Sequence, residues 1–162
     1  AHAYFKLYNI SSVGLRFFTV YGPWGRPDMA LFKFTKNIIL NKKIDVFNYG
    51  NHSRDFTYVE DIAESISRIA IKIKKQKKSK YLIFNIGNGS PVKLLTFIKL
   101  LEVILKKKSI QNLLPLQKGD VPNTFASTKK LTKFIKFKPK PDIKLGVKKF
   151  IDWYLNYYKI KK

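Results

Sequence analysis

Three features of this 162-residue chain predict an α/β fold. Val13 to Tyr21 (VGLRFFTVY) is apolar on both alternating faces apart from Arg16 and Thr19, as expected for a strand covered on both sides of a parallel sheet. Tyr81 to Ile86 is a second compact apolar strand, closed by Gly87, Asn88 and Gly89. Between and after these runs, apolar residues recur at spacings of three and four, so strands alternate with amphipathic helices. Apolar residues make up 45% of the chain and aromatic residues 15%, enough for one core across residues 1–162 and too many for a disordered tail.

The elements follow in order. Ala1 to Tyr8 reads as the end of a helix that starts without a cap, and Asn9 to Ser12 as a polar turn. Gly22, Pro23, Gly25 and Pro27 break the chain after the first strand and put Arg26 on a loop at the strand's carboxyl end, where ligands bind in open α/β sheets. Met29 to Leu40 is a helix, and Ile44 to Tyr49 and Phe56 to Val59 are short strands around a turn at Gly50 to Ser53. Asp61 to Ile73 is the clearest helix, with Ile62, Ile66, Ile69 and Ile73 forming its stripe. Leu94 to Leu105 and Val147 to Tyr158 are two more, and Thr128 to Ile135 is a short one. Asn112 to Gln117 is extended, and Gly119 to Asn123 is a loop. A doubly covered strand with only one candidate partner of its kind leads us to expect the carboxyl-terminal part of a larger α/β enzyme.

Charge narrows the function classes. Thirty-three basic against ten acidic side chains give +23, which invites a nucleic-acid or polyanion-binding reading. Only 4 of the 33 are arginines, and the lysines are spread along the chain, whereas phosphate and base recognition draws on the arginine fork. Specific nucleic-acid binding is therefore not expected, and a basic binding module is kept as the alternative of another class. With no cysteine and two histidines, a thiolate metal site, a disulfide framework and a cysteine nucleophile are excluded. No apolar run reaches the roughly 18 residues of a membrane span, so a cytoplasmic protein is expected.

The segments LRFFTVYGPWGRPDMALFKFTK (15–36), IDVFNYG (44–50), RDFTYVEDI (54–62), FNIGNGSPV (84–92), LPLQKGDV (114–121) and FIDWY (150–154) carry a family resemblance. In order and spacing they resemble the extended short-chain dehydrogenase/reductase superfamily and, within it, the UDP-glucuronate 4-epimerases. The resemblance implies an extended Rossmann-type enzyme, of which this chain holds the small α+β substrate-binding portion and the last strands of the parallel sheet. It also implies NAD as cofactor, a UDP-sugar as substrate and a homodimer. The reaction implied is interconversion of UDP-glucuronate and UDP-galacturonate through a 4-keto sugar; a UDP-glucuronate decarboxylase or a neutral UDP-sugar epimerase is the alternative.

The same resemblance assigns roles residue by residue. Arg54 corresponds to the position that holds the diphosphate, Asp120 to the one that accepts from the ribose hydroxyls, and Val46 and Phe47 to the segment flanking uracil. Thr19 and Arg26 correspond to contacts with the sugar and its carboxylate, and Tyr21 to a cofactor contact. Gln117 stands where related galactose epimerases carry an arginine, which shifts phosphate neutralisation towards Arg54 and Lys118. Arg16 is expected to be paired within the sheet, and His52 to be a solvated loop residue. The family's Gly-rich dinucleotide loop has no counterpart here. Tyr157 and Lys161 match its Tyr-x-x-x-Lys pair only in spacing, so no catalytic residue is expected in the chain and the chain alone is expected to be inactive.

Overall fold

The structure is a computed structural model that describes residues 1–139 and 142–160. It is α/β, with parallel strands dominating. β1 (Ser12–Phe17) pairs in parallel with β6 (Tyr81–Ile86), β2 (Thr19–Tyr21) with β5 (Phe56–Tyr58), and β3 (Lys43–Val46) with β8 (Ile110–Leu113). A short antiparallel pair, β4 (Ser53–Arg54) with β7 (Val92–Lys93), was not anticipated.

The expected single strand Val13 to Tyr21 is two strands that change partner at Phe18. The Phe18 N–H donates to the Ile86 carbonyl at the end of β6, and the next N–H, from Thr19, donates to Asp55 beside β5, both at 3.1 Å. Nor is the first strand covered on both sides: β1 is half-buried at best, and Phe17 is 50% exposed, because β6 is its one strand partner among the described residues. The segment expected to be extended from Ile44 to Tyr49 instead ends at Val46 and winds into a tight turn, Phe47–Gly50, with Asn48 and Tyr49 in the left-handed region. The strand expected at Asn112 to Gln117 starts and ends earlier, in register with β3.

Six helices complete the described chain: α1 (His2–Tyr8), α2 (Ala30–Ile39), α3 (Val59–Lys74), α4 (Leu94–Leu105), α5 (Lys129–Ile135) and α6 (Ile143–Tyr157). α3 carries Glu60 and Asp61 in its first turn and Lys72 and Lys74 in its last, matching the helix dipole at both ends. It buries Ile62, Ser65 and Ile69, whereas Ile66 faces outward. Helix α6 starts four residues before the expected Val147, because the Asp142 carboxylate caps it by accepting from the Leu145 N–H at 3.0 Å. Gly146 sits inside this helix because the Tyr21 hydroxyl lies 2.5 Å from where a Cβ would stand.

Two apolar clusters hold these elements. One joins α2, α4 and α6 to β2, β3 and β5, and includes Ile38, Ile44, Phe97 and Phe150. Phe97 stacks flat on Phe56 at 4.4 Å between ring centres, which seats β5 on α4. The other joins α3 and α5 to β1 and β6 through Ile69, Phe84, Ile86 and Leu131. The seam between the clusters is where β1 hands over to β2, and the cavities open there. Among the described residues no helix is long and apolar enough to cross a membrane.

Candidate functional site

Alternation along one short strand segment builds the site. Successive side chains in an extended segment point to opposite faces, so Arg54 and Phe56 line a cavity of about 210 Å³ while Asp55 and Thr57 turn into the interior. The cavity also takes Thr19 from β2, Phe47 from the turn after β3, and Asp120 from the loop after β8. The structure thus brings together Thr19, Phe47, Arg54 and Asp120, which lie 101 positions apart at their extremes.

Arg54 is held from two sides. Its Nη2 donates to Asp120 Oδ1 at 2.8 Å, while Nη1 donates to the carbonyls of Pro122 at 2.9 Å and Ser53 at 3.2 Å. A guanidinium so fixed is a pre-oriented anion receptor, and its present anion is an internal carboxylate. The other oxygen of Asp120 lies 3.6 Å from His52 Nε2. His52 is not the solvated residue expected: it is 6% exposed and its Nε2 has no hydrogen-bond partner. Burial, with the Arg54 charge beside it, lowers the His52 pKa below its ordinary value, and Asp120 opposes this.

The remaining expected residues lie around this centre. Arg26 lines a neighbouring cavity of about 390 Å³ that shares Thr19 and Met29 with the first. Its guanidinium is 76% exposed and grips Asp28 at 3.0 and 2.5 Å, which holds the Asp28 carboxyl below its ordinary pKa. Thr19 also lines a third, open cleft with Arg16 and Thr124, so it stands at the junction of all three. The Arg16 backbone is paired with Asn85 of β6, but its side chain is exposed on that cleft.

Val46 is fully buried, and its carbonyl already accepts the Leu114 N–H at 3.0 Å. Gln117 is exposed and outside the cavity; its carbonyl accepts the Asp120 N–H and so shapes the loop. The Tyr21 ring packs on Tyr58 and Phe56, and burial, with Asp61 and Asp142 nearby, pushes its hydroxyl pKa upward. A hydroxyl so held stays protonated. Tyr157 closes α6 against Trp24 and Trp153, and Lys161 lies outside the described residues.

Asp55, the neighbour of Arg54, is a site-shaping residue that the sequence reading does not single out. It is fully buried, and its carboxylate accepts the backbone N–H groups of Asn88, Gly89 and Ala126 at 2.7 to 2.9 Å. Its own N–H donates to Thr124 Oγ1 at 3.0 Å. One side chain therefore ties the turn after β6 and the 120s loop to β5, and so holds Asp120 near Arg54. The available signal was alternation, since a carboxylate one residue from an outward arginine must face inward.

Parallel strand pairs whose carboxyl ends open on joined cavities, one of them holding a half-buried arginine–carboxylate pair, are those of a Rossmann-type α/β fold. The chain belongs to the NAD dependent epimerase/dehydratase family, whose profile matches residues 1–87. It is similar to Protein CapI of Staphylococcus aureus, at 52% identity over 172 aligned residues covering 98% of this chain and 52% of that protein. It is also similar to the probable UDP-glucuronate 4-epimerase of Rhizobium meliloti, at 42% identity with 98% and 51% covered. The UDP-glucuronic acid 4-epimerase of Bacillus cereus, solved with UDP-glucuronic acid and NAD, superimposes with a TM-score of 0.85 at 32% identity, over 97% of this chain and 49% of that one. The chain spans about half the length of the curated relatives it matches.

NAD is the cofactor of this family. The glycines with left-handed backbone, Gly22, Gly50, Gly89 and Gly119, lie in four separate loops. None of these loops carries the G-x-x-G-x-x-G or G-x-G-x-x-G spacing of a pyrophosphate cradle.

Proposed function

We propose that this chain is the substrate-binding portion of an NAD-dependent UDP-glucuronate 4-epimerase, which interconverts UDP-glucuronate and UDP-galacturonate through a 4-keto sugar. The observation that carries the reading is the pre-oriented Arg54 guanidinium in a cavity joined through Thr19 to a second one edged by Arg26. A diphosphate and a uronate carboxylate are two anions on one ligand, and two arginines on adjoining cavities match that pair. Arg54 receives the diphosphate, Asp120 the ribose hydroxyls, and Phe47 covers the base. Thr19 donates to the sugar, and Arg26 exchanges Asp28 for the uronate. In this reading the chain's residues bind and orient, and no hydride or proton step at C4 is assigned to them. Similarity to enzymes described as UDP-glucuronate 4-epimerases supports the choice of sugar.

Calorimetric titration with UDP-glucuronate tests the site. Arg54→Ala is expected to weaken binding by about 1.5–3 kcal/mol, roughly ten- to a hundredfold, as for loss of a charge-assisted hydrogen bond. Unchanged affinity would remove Arg54 from the site. Product analysis of the intact enzyme with UDP-glucuronate and NAD separates the epimerase, which yields the galacturonate, from a decarboxylase, which yields the xylose.

A further inference from the structure

Asp120 poses a steric question for any anion that approaches Arg54. Its carboxylate occupies Nη2, the arginine donor it holds at 2.8 Å, so a diphosphate must displace it to gain a two-point grip. The displaced carboxylate keeps the Val121 N–H on Oδ1 at 2.8 Å and, in the reading above, takes the ribose hydroxyls, but it loses the positive charge of Arg54. Among the described residues, the unpartnered polar side-chain atom buried against it is His52 Nε2, already 3.6 Å from the second carboxylate oxygen. Shortening that gap by about 0.8 Å makes a charge-assisted hydrogen bond of ordinary length.

The loop permits the shift. Asp120 follows Gly119, which has φ +83° and nothing within 4 Å of a Cβ position, and the Asp120 side chain is about one-third exposed. His52, by contrast, is fixed: its carbonyl accepts the Leu94 N–H at 2.8 Å at the β4–β7 junction.

We propose that His52 is a positioning residue that takes over the Asp120 carboxylate when a nucleotide-sugar diphosphate displaces it from Arg54, so that substrate binding at this site takes up a proton from solvent. The proposal rests on the reading of Arg54 as the diphosphate receptor. The charged groups on the cavity wall are Arg54 from β4, Asp120 from the loop after β8, and Asp45 from β3, which is engaged by the Asn112 amide at 2.8 Å. Helices α2 and α4 add only Ala30, Phe34 and Leu94, none of which titrates.

Without ligand, burial and the Arg54 charge hold the His52 pKa below its ordinary value, which disfavours the protonated ring. A bound diphosphate offsets the Arg54 charge, and the released carboxylate keeps only neutral donors besides the imidazole, so both changes favour the protonated ring. The sign follows from linkage. Affinity is constant above the bound-state pKa, rises as pH falls towards the lowered ligand-free value, and levels off below it.

The test is calorimetric titration of UDP-glucuronate, whose acidic groups stay ionised between about pH 6 and 8, into the wild-type protein and His52→Gln. Buffers of different ionisation enthalpy report the proton balance. The wild type is expected to take up a proton on binding and to gain up to about tenfold in affinity from about pH 8 to 6, for a one-unit change in pKa. His52→Gln is expected to bind without proton uptake and with a flat pH profile between about pH 8 and 6. His52→Asn serves as the second variant, and the imidazole resonances, from only two histidines, report protonation directly. Binding that depends on Arg54 but shows no uptake, or uptake that persists in both variants, overturns the role of His52 alone. Absence of binding, or binding indifferent to Arg54→Ala, overturns it together with the reading on which it rests.

Discussion

Arg54 and Asp55 are adjacent in sequence and lie on opposite faces of the same extended segment, and their surroundings differ in kind. Arg54 faces a cavity and is held by the Asp120 carboxylate, the Pro122 loop carbonyl and the carbonyl of its neighbour Ser53. Asp55 is wholly enclosed and is satisfied by three backbone N–H groups from two other loops. A charge whose partner can move away is suited to exchanging that partner for a ligand. A charge saturated by backbone donors is suited to holding geometry, because releasing it would strand buried N–H groups. The pair shows how two ionic residues with one spacing divide into a receptor and a fastener according to which face they point to.

Removing the fastener breaks the contrast most severely. Asp55→Ala strands three backbone donors and is expected to cost about 3 kcal/mol or more, a large share of a domain's total stability. A fall in the urea midpoint would register it. A midpoint unchanged from the wild type would mean that the three N–H groups find other acceptors.

Gly87→Ala acts on the same clasp from the opposite side. Its Cβ would stand 2.2 Å from the Ala126 Cβ, so the turn after β6 and the 120s loop must separate. Overpacking of this kind is expected to cost about 1–3 kcal/mol. By widening the clasp it should also weaken UDP-glucuronate binding, which connects the two faces experimentally.

Arg26→Ala should show the smallest effect on folding, since the Arg26–Asp28 pair is solvent-exposed. The unfolding midpoint is expected to stay where it is, while affinity for UDP-glucuronate falls severalfold and affinity for UDP does not. Equal losses for both ligands would place Arg26 on the nucleotide rather than on the sugar acid.

Several local features were legible in the sequence. The helix Leu94–Leu105 matches its expected bounds, and the strand Tyr81–Ile86 likewise, because apolar spacing and bounding glycines are local signals. The start of α6 was placed late because its cap, Asp142, lies outside the apolar stripe. The division of Val13 to Tyr21 at Phe18 could not be read, since both halves have the same apolar character and differ only in the strand they pair with. His52 was misplaced for a similar reason. A histidine in a Gly, Asn and Ser turn looks exposed until Phe47, Leu94 and the Asp120 loop close over it.

By itself the sequence determined the α/β alternation, the family and the residue types able to meet a nucleotide sugar, because periodicity and motif spacing are properties of neighbours along the chain. Tertiary structure alone decided that Thr19, Phe47, Arg54 and Asp120 share one cavity, that Val46 and Gln117 stand outside it, and that Asp55 and His52 support it. The physical reason is distance along the chain. Sixty-six positions separate Arg54 from Asp120, and the pairing of β3 with β8, the Ser53–Asn123 bridge and the Asp55 clasp bring them within 2.8 Å.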